Sequence, residues 1–167
     1  MRLFPRSLPE LYAHAIIVER GASERFAELE RYMRDAGMEH IADELGSIGR
    51  EEREQYELLK VGTAGHELPP ISPWEYSPHF LGAQFDVERK PTSVRDALAI
   101  AISAERRTQT FYVDVAEHTG DDTICAFAAE MAAGESRHIA RLERLLAREP
   151  DPAATVAGEG DVLPLKP

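Results

Sequence analysis

Apolar residues recur along this chain at alternating steps of three and four, the seam of an amphipathic helix packed in a bundle. Four such seams can be traced. The first runs through Tyr12, Ala15, Glu19, Ala22, Phe26, Leu29 and Met33, and the second through Leu45, Ile48, Glu52, Gln55 and Leu59. Leu98, Ile102, Glu105, Tyr112 and Val115 outline the third, with Thr108 at the intervening position. The fourth joins Ile124, Ala128, Met131, Glu135, His138, Leu142 and Leu145. Each seam carries a carboxylate at mid-height where a leucine belongs. Unpaired buried carboxylates are expensive, so something must compensate for all four, and a metal ion is the simplest candidate.

The punctuation between seams sets the helix ends. Ser7-Leu-Pro-Glu10 is a capping-box pattern opening a helix that runs to about Ala36. A second helix begins near Met38 and ends before Gly62. Ser93-Val-Arg-Asp96 is another capping box, for a helix ending around His118, and Thr119-Gly-Asp-Asp122 supplies the cap of a fourth that stops at Pro150. Gly21 is a candidate for close backbone approach, while Gly46 and Gly49 weaken the second helix and leave its stability to packing. Residues equidistant from a turn share a height in an antiparallel pair. The midpoint between Glu19 and Glu52 falls next to Ala36-Gly37, and that between Glu105 and Glu135 falls on Gly120. Each hairpin therefore brings its two glutamates face to face.

Residues 62–92 break the periodicity. They contain Pro69, Pro70, Pro73, Pro78 and Pro91, with Trp74, Tyr76, Phe80, Leu81 and Phe85 among them. That is too aromatic for a disordered linker. The stretch reads as an ordered crossover, with room for a short helical turn around Pro78 to Gln84, that makes helices two and three parallel. The fold expected is all-α: an antiparallel four-helix bundle in residues 1–150, followed by a loose tail over 151–167. The Val162-Leu-Pro-Leu165 cluster in that tail is a candidate docking peptide.

Composition narrows the function without deciding it. The chain has 167 residues, 43% hydrophobic and 29% charged, enough for one domain with a four-helix core. A formal charge of −11 argues against nucleic-acid binding or a basic membrane-surface patch. With Cys125 as the single cysteine, disulfide stapling within the chain and four-cysteine metal modules are excluded. No stretch has signal-peptide or membrane-spanning character, so the expected location is cytoplasmic.

The spacing of Glu135 and His138 has a chemical reason, since positions three apart on a helix share a face and reach the same ion. Arg106, Arg107 and Arg137 lie beside the seam glutamates in sequence and therefore point elsewhere. Tyr112 and Tyr12 stand seven positions from Glu105 and Glu19, placed either to hydrogen-bond near the site or to pack as core. Surface or capping roles are the default for His14, His40, His66, His79 and His118, and Cys125 reads as a small buried apolar residue.

With this pattern the sequence resembles the rubrerythrin branch of the ferritin-like superfamily, over residues 8 to 148. Glu19 matches the first-helix ligand, Glu105 the third-helix ligand, and Glu135 with His138 the Glu-x-x-His of the last helix. Glu52 falls at the ligand position of the second Glu-x-x-His, but Gln55 replaces its histidine. His40 is roughly 18 Å away along the helix, and His14 faces another side of its own, so neither substitutes. Thr108 stands where rubrerythrins carry an additional glutamate. The resemblance implies a ferritin-like fold holding two iron ions, or manganese or a mixed pair, at Glu19, Glu52, Glu105, Glu135 and His138. Gln55 is left open between a ligand and a structural residue. A firmer ion is expected near Glu105, Glu135 and His138, and a weaker one near Glu19, Glu52 and Gln55.

The same resemblance implies a diiron oxidase, peroxidase or ferroxidase acting on Fe(II) with peroxide or oxygen, those five residues being catalytic as well. A peroxidase would need an external electron donor, because the four-cysteine rubredoxin module of the family is missing. A homodimer is compatible with the family. The alternatives are a non-enzymatic iron or manganese binding or delivery protein, and a scaffold with a degenerate metal site.

Overall fold

The computed structural model of the chain describes residues 4–71 and 90–150. Four helices account for about four-fifths of them: α1 (Leu8–Asp35), α2 (Glu39–Gly62), α3 (Val94–His118) and α4 (Asp122–Arg148). Their ends follow the capping chemistry of the sequence with one shift. Ser7 Oγ accepts from the Glu10 amide at 3.3 Å and Ser93 Oγ from the Asp96 amide at 3.1 Å. The reciprocal carboxylates reach one residue further back than a capping box requires. Glu10 accepts from the Arg6 amide at 2.6 Å, and Asp96 from the Thr92 amide at 2.9 Å. At α4, Asp121 Oδ1 accepts from the Thr123 and Ile124 amides.

The α1–α2 turn is a Schellman closure. Gly37, at φ 72°, lets its own amide reach Arg34 O and that of Met38 reach Met33 O, both at 2.9 Å. Glycine is required there because an L side chain resists positive φ. Two other glycines set how closely the helices pack. A Cβ on Gly49 would lie 2.8 Å from the Phe26 Cβ, and one on Gly46 would lie 2.6 Å from the Glu30 carboxylate. These residues thus bring α2 against α1, which outweighs their low helix propensity. Gly21 does no such work: nothing lies within 4 Å of a Cβ built on it.

The core divides into two apolar clusters. One gathers Phe26, Leu29 and Met33 from the end of α1, Ile41, Leu45 and Ile48 from the start of α2, Leu98 and Ile102 from the start of α3, and Leu142 and Leu145 from the end of α4. The other gathers Leu11 and Ala15, Leu59, Phe111, Tyr112 and Val115, and Ile124, Ala128 and Met131 from the opposite ends. Helices α2 and α3 therefore run in the same direction, antiparallel to α1 and α4. That shared direction is what the crossover reading requires. Most of that crossover (72–89, with its aromatic residues and the helical turn expected near 78–84) and the tail over 151–167 fall outside the described residues. Among the described residues, no helix is long and apolar enough to cross a membrane.

Candidate metal centre

Between the two apolar clusters lies a polar layer with a contribution from every helix. It consists of Glu19 from α1, Glu52 from α2, Glu105 from α3, and Glu135 with His138 from α4. Their exposures run from 0% at Glu105 to 8% at His138, against the usual preference of carboxylates for water. Glu52, Glu105, Glu135 and His138 each present a ligand atom within 4.8 Å of the others. His138 Nδ1 is the hub, 2.6 Å from Glu52 Oε1, 3.4 Å from Glu105 Oε2 and 3.9 Å from Glu135 Oε2.

Close as these atoms are, their contacts are ion pairs without hydrogen-bond geometry. Glu52 Oε1, both Glu105 oxygens, Glu135 Oε2 and His138 Nδ1 are buried without a hydrogen-bond partner among the described residues. Buried polar atoms without a hydrogen bond are rare in native interiors, and these have capacity left for a further partner. Three carboxylates and an imidazole converging on a common space fit a divalent cation, and their hardness suits iron or manganese. The other ring nitrogen, His138 Nε2, faces Glu51 Oε2 at 3.3 Å. Glu51 is in turn held by Arg141 Nη1 at 2.6 Å, and Arg141 also binds Glu44 and Ser47, which ties α4 to α2 across the site. A carboxylate behind a histidine fixes which ring nitrogen faces a metal.

Electrostatics match this crowding. Burial first, then the nearby Glu52 carboxylate, raises Glu19 well above the ordinary carboxyl value, although the Tyr112 hydroxyl works the other way. Glu135 is raised as strongly, by burial and by Glu105, Glu52 and Glu19. Burial lowers the His138 pKa, but the Glu105 and Glu52 carboxylates overcome it and push the value up to about 10. In the absence of metal, protons stand in for cations.

Glu19 lies beside the four-residue group. It abuts Glu52, and its Oε1 accepts a 2.7 Å hydrogen bond from the fully buried Tyr112 hydroxyl. Gln55 donates through Nε2 to Met131 Sδ at 3.3 Å, leaving its carbonyl oxygen as the one atom able to face a cation. Both line a cavity of about 120 Å³ with Glu135 and His138, and the exposed Glu51 and Glu130 at its rim connect it to solvent. A larger groove of about 890 Å³ on the outer face of α3 and α4 contains none of these five residues. Thr108 bonds back to Ala104 O at 3.4 Å.

Other sequence readings divide. Arg106 turns to Glu143, away from the centre as adjacency implied, and Arg107 Nη1 donates to Ser103 Oγ; Arg137, expected to point elsewhere, lines the small cavity with Glu135 and His138. A cation does enter, from an unforeseen place: Arg25 of α1, only 9% exposed, points Nη1 toward Glu105 Oε1 at 3.9 Å. Its signal was modest, a position three after Ala22 and one before Phe26, on the flank of a wide apolar stripe. His14 is buried against Phe111, a correction to the surface default, because α1 turns that face toward α3. His118 bonds to Asp114 O and stacks on Phe4, His40 is exposed, and Tyr12 packs edge-on against Phe127. Cys125 is only partly buried, since it lies off the α4 seam.

Comparison with known proteins now has a geometry to bear on. The rubrerythrin family model matches residues 10–146. The crystal structure of an uncharacterized conserved protein from Magnetospirillum magnetotacticum MS-1 aligns with a TM-score of 0.73 at 25% identity, over 87% of this chain and 97% of that one. No curated protein shows significant similarity. A match over most of the chain, on a four-helix bundle with a buried glutamate and histidine layer, shows that this protein belongs to the rubrerythrin family and has the ferritin-like fold.

Proposed function

We propose that this protein binds divalent iron or manganese inside the bundle, with Glu52, Glu105, Glu135 and His138 as ligands. The observation that carries the reading is the set of buried, hydrogen-bond-orphaned donor atoms on four side chains from three helices. The small cavity, with exposed Glu51, Glu130 and Arg137 at its rim, offers a cation a way in. His138 would ligate through Nδ1 with Nε2–H donating to Glu51, and Glu52, Glu105 and Glu135 would supply carboxylate oxygens. Glu19, restrained by Tyr112, supplies a further carboxylate beside Glu52.

A second reading adds turnover, and the presence of Glu19 next to Glu52 favours it. Bound iron supplies one-electron redox chemistry toward peroxide or oxygen. Two Fe(II) ions oxidised to Fe(III) provide the two electrons that, with two protons, reduce one hydrogen peroxide to two waters. Glu19, Glu52, Glu105, Glu135 and His138 would hold the iron, and a catalytic cycle would draw its electrons from incoming Fe(II) or from an outside donor. Anaerobic Fe(II) loading followed by peroxide separates the readings. Binding requires Fe(II) retention that Glu135→Ala and His138→Ala abolish while helicity persists; turnover further requires peroxide consumption that outlasts the iron initially bound. Failure of the wild-type protein to retain Fe(II) refutes both.

A further inference from the structure

Arg25 is the buried charge that neither reading uses. Its guanidinium is enclosed between α1 and α3, and Nε and Nη1 have no hydrogen-bond partner among the described residues. A permanent cation is rarely buried unless a charge nearby requires it. The charge it faces is Glu105, whose two oxygens are divided: Oε1 lies 3.9 Å from Arg25 Nη1, and Oε2 lies 3.4 Å from His138 Nδ1.

We infer that Arg25 is a built-in counter-ion taking the place of one metal charge, so that the centre holds one divalent ion per chain, at Glu52, Glu105, Glu135 and His138. The inference rests on the metal-binding reading and deepens it. Fully ionised, the four glutamates would bring four negative charges to a layer walled by apolar clusters. One divalent ion together with Arg25 nearly balances them, and the remaining carboxylate, Glu19, is held by the Tyr112 hydroxyl. Two divalent ions together with Arg25 would instead leave one net positive charge in the buried layer. The second position is also poorer in donors, because Gln55 stands in place of an imidazole and directs its amide nitrogen to Met131. A single ion gives one electron per oxidation, so the centre is built to hold metal rather than to reduce peroxide unaided.

Anaerobic calorimetric titration of the full chain with Mn²⁺, read in parallel by electron paramagnetic resonance, tests this directly. The result expected is one Mn²⁺ per chain with the six-line signal of an isolated ion. Two ions per chain with an exchange-coupled spectrum would overturn the inference and leave metal binding intact. No binding would overturn both. Arg25→Gln should tighten the single site by about tenfold or more, by removing a cation within a few ångströms of the ion, and Arg25→Gln with Gln55→His should admit a second. Unchanged affinity in folded Arg25→Gln would show that Arg25 does not act as the counter-ion. If either variant fails to fold, the wild-type stoichiometry alone decides.

Discussion

At the scale of single residues, burial and crowding change how tightly three side chains of the centre hold their protons. Glu19 and Glu135 have pKa values raised above the ordinary 4.5, and His138 is raised from 6.5 to about 10. In each case the folded chain binds its proton more tightly than the unfolded chain does. The carboxyl contributions to stability are present at low pH and are lost as pH rises above 4.5 toward the raised values. That of His138 is full below 6.5 and is lost as pH rises through about 10. The metal-free protein should therefore melt at a lower temperature at about pH 9 than at about pH 5, as thermal denaturation in chelator would show. Metal ligation runs the other way, because the ion takes deprotonated ligands, so affinity should rise over the same range. Tyr112→Phe should destabilise the metal-free protein by about 1–3 kcal/mol, by taking the one phenolic donor from a buried carboxyl. A chemical-denaturation series checks it.

A polar residue on an apolar seam is a loud signal, which is why Glu19, Glu52, Glu105, Glu135 and His138 were readable from spacing alone. Arg25 was not, because a position on the flank of a stripe is as compatible with solvent as with burial. His14 was missed for the same reason.

At the scale of elements, the helices were legible to within a residue or two at their ends, since Ser7, Gly37, Ser93 and Asp121 perform the terminal chemistry their types predict. What spacing could not show was the use of Gly46 and Gly49, whose missing side chains matter only through the neighbouring helix. Gly49→Ala should cost about 1–3 kcal/mol despite its better helix propensity, because the new methyl meets the Phe26 Cβ and must push α1 from α2. Gly21→Ala, with open space around it, should instead stabilise by up to about 1 kcal/mol. The measured changes in unfolding free energy of the two variants should differ in sign. The equal heights of the glutamates followed from hairpin geometry, so two short turns place four carboxylates in one layer.

At the scale of the molecule, the bundle is two apolar clusters separated by a charged layer, an arrangement that is costly when empty of cations and stable when supplied with one. Burial first, and then repulsion between the carboxylates of that layer, raises the pKa values of Glu19 and Glu135, whose protons a metal ion would replace. Saturation with Mn²⁺ at a hundredfold excess over Kd should add about 2.7 kcal/mol, several degrees of melting temperature for a chain of this size. Membership of the rubrerythrin family fits the same architecture, while Gln55, Thr108 and Arg25 give this chain a centre of its own.

The most direct test of metal binding in this layer is an anomalous-difference map from a crystal grown or soaked with Mn²⁺. It should show density in contact with Glu135 and with Nδ1 of His138, flanked by Glu52 and Glu105. A map without a peak between those side chains, recorded while Mn²⁺ is bound elsewhere or not at all, would contradict it.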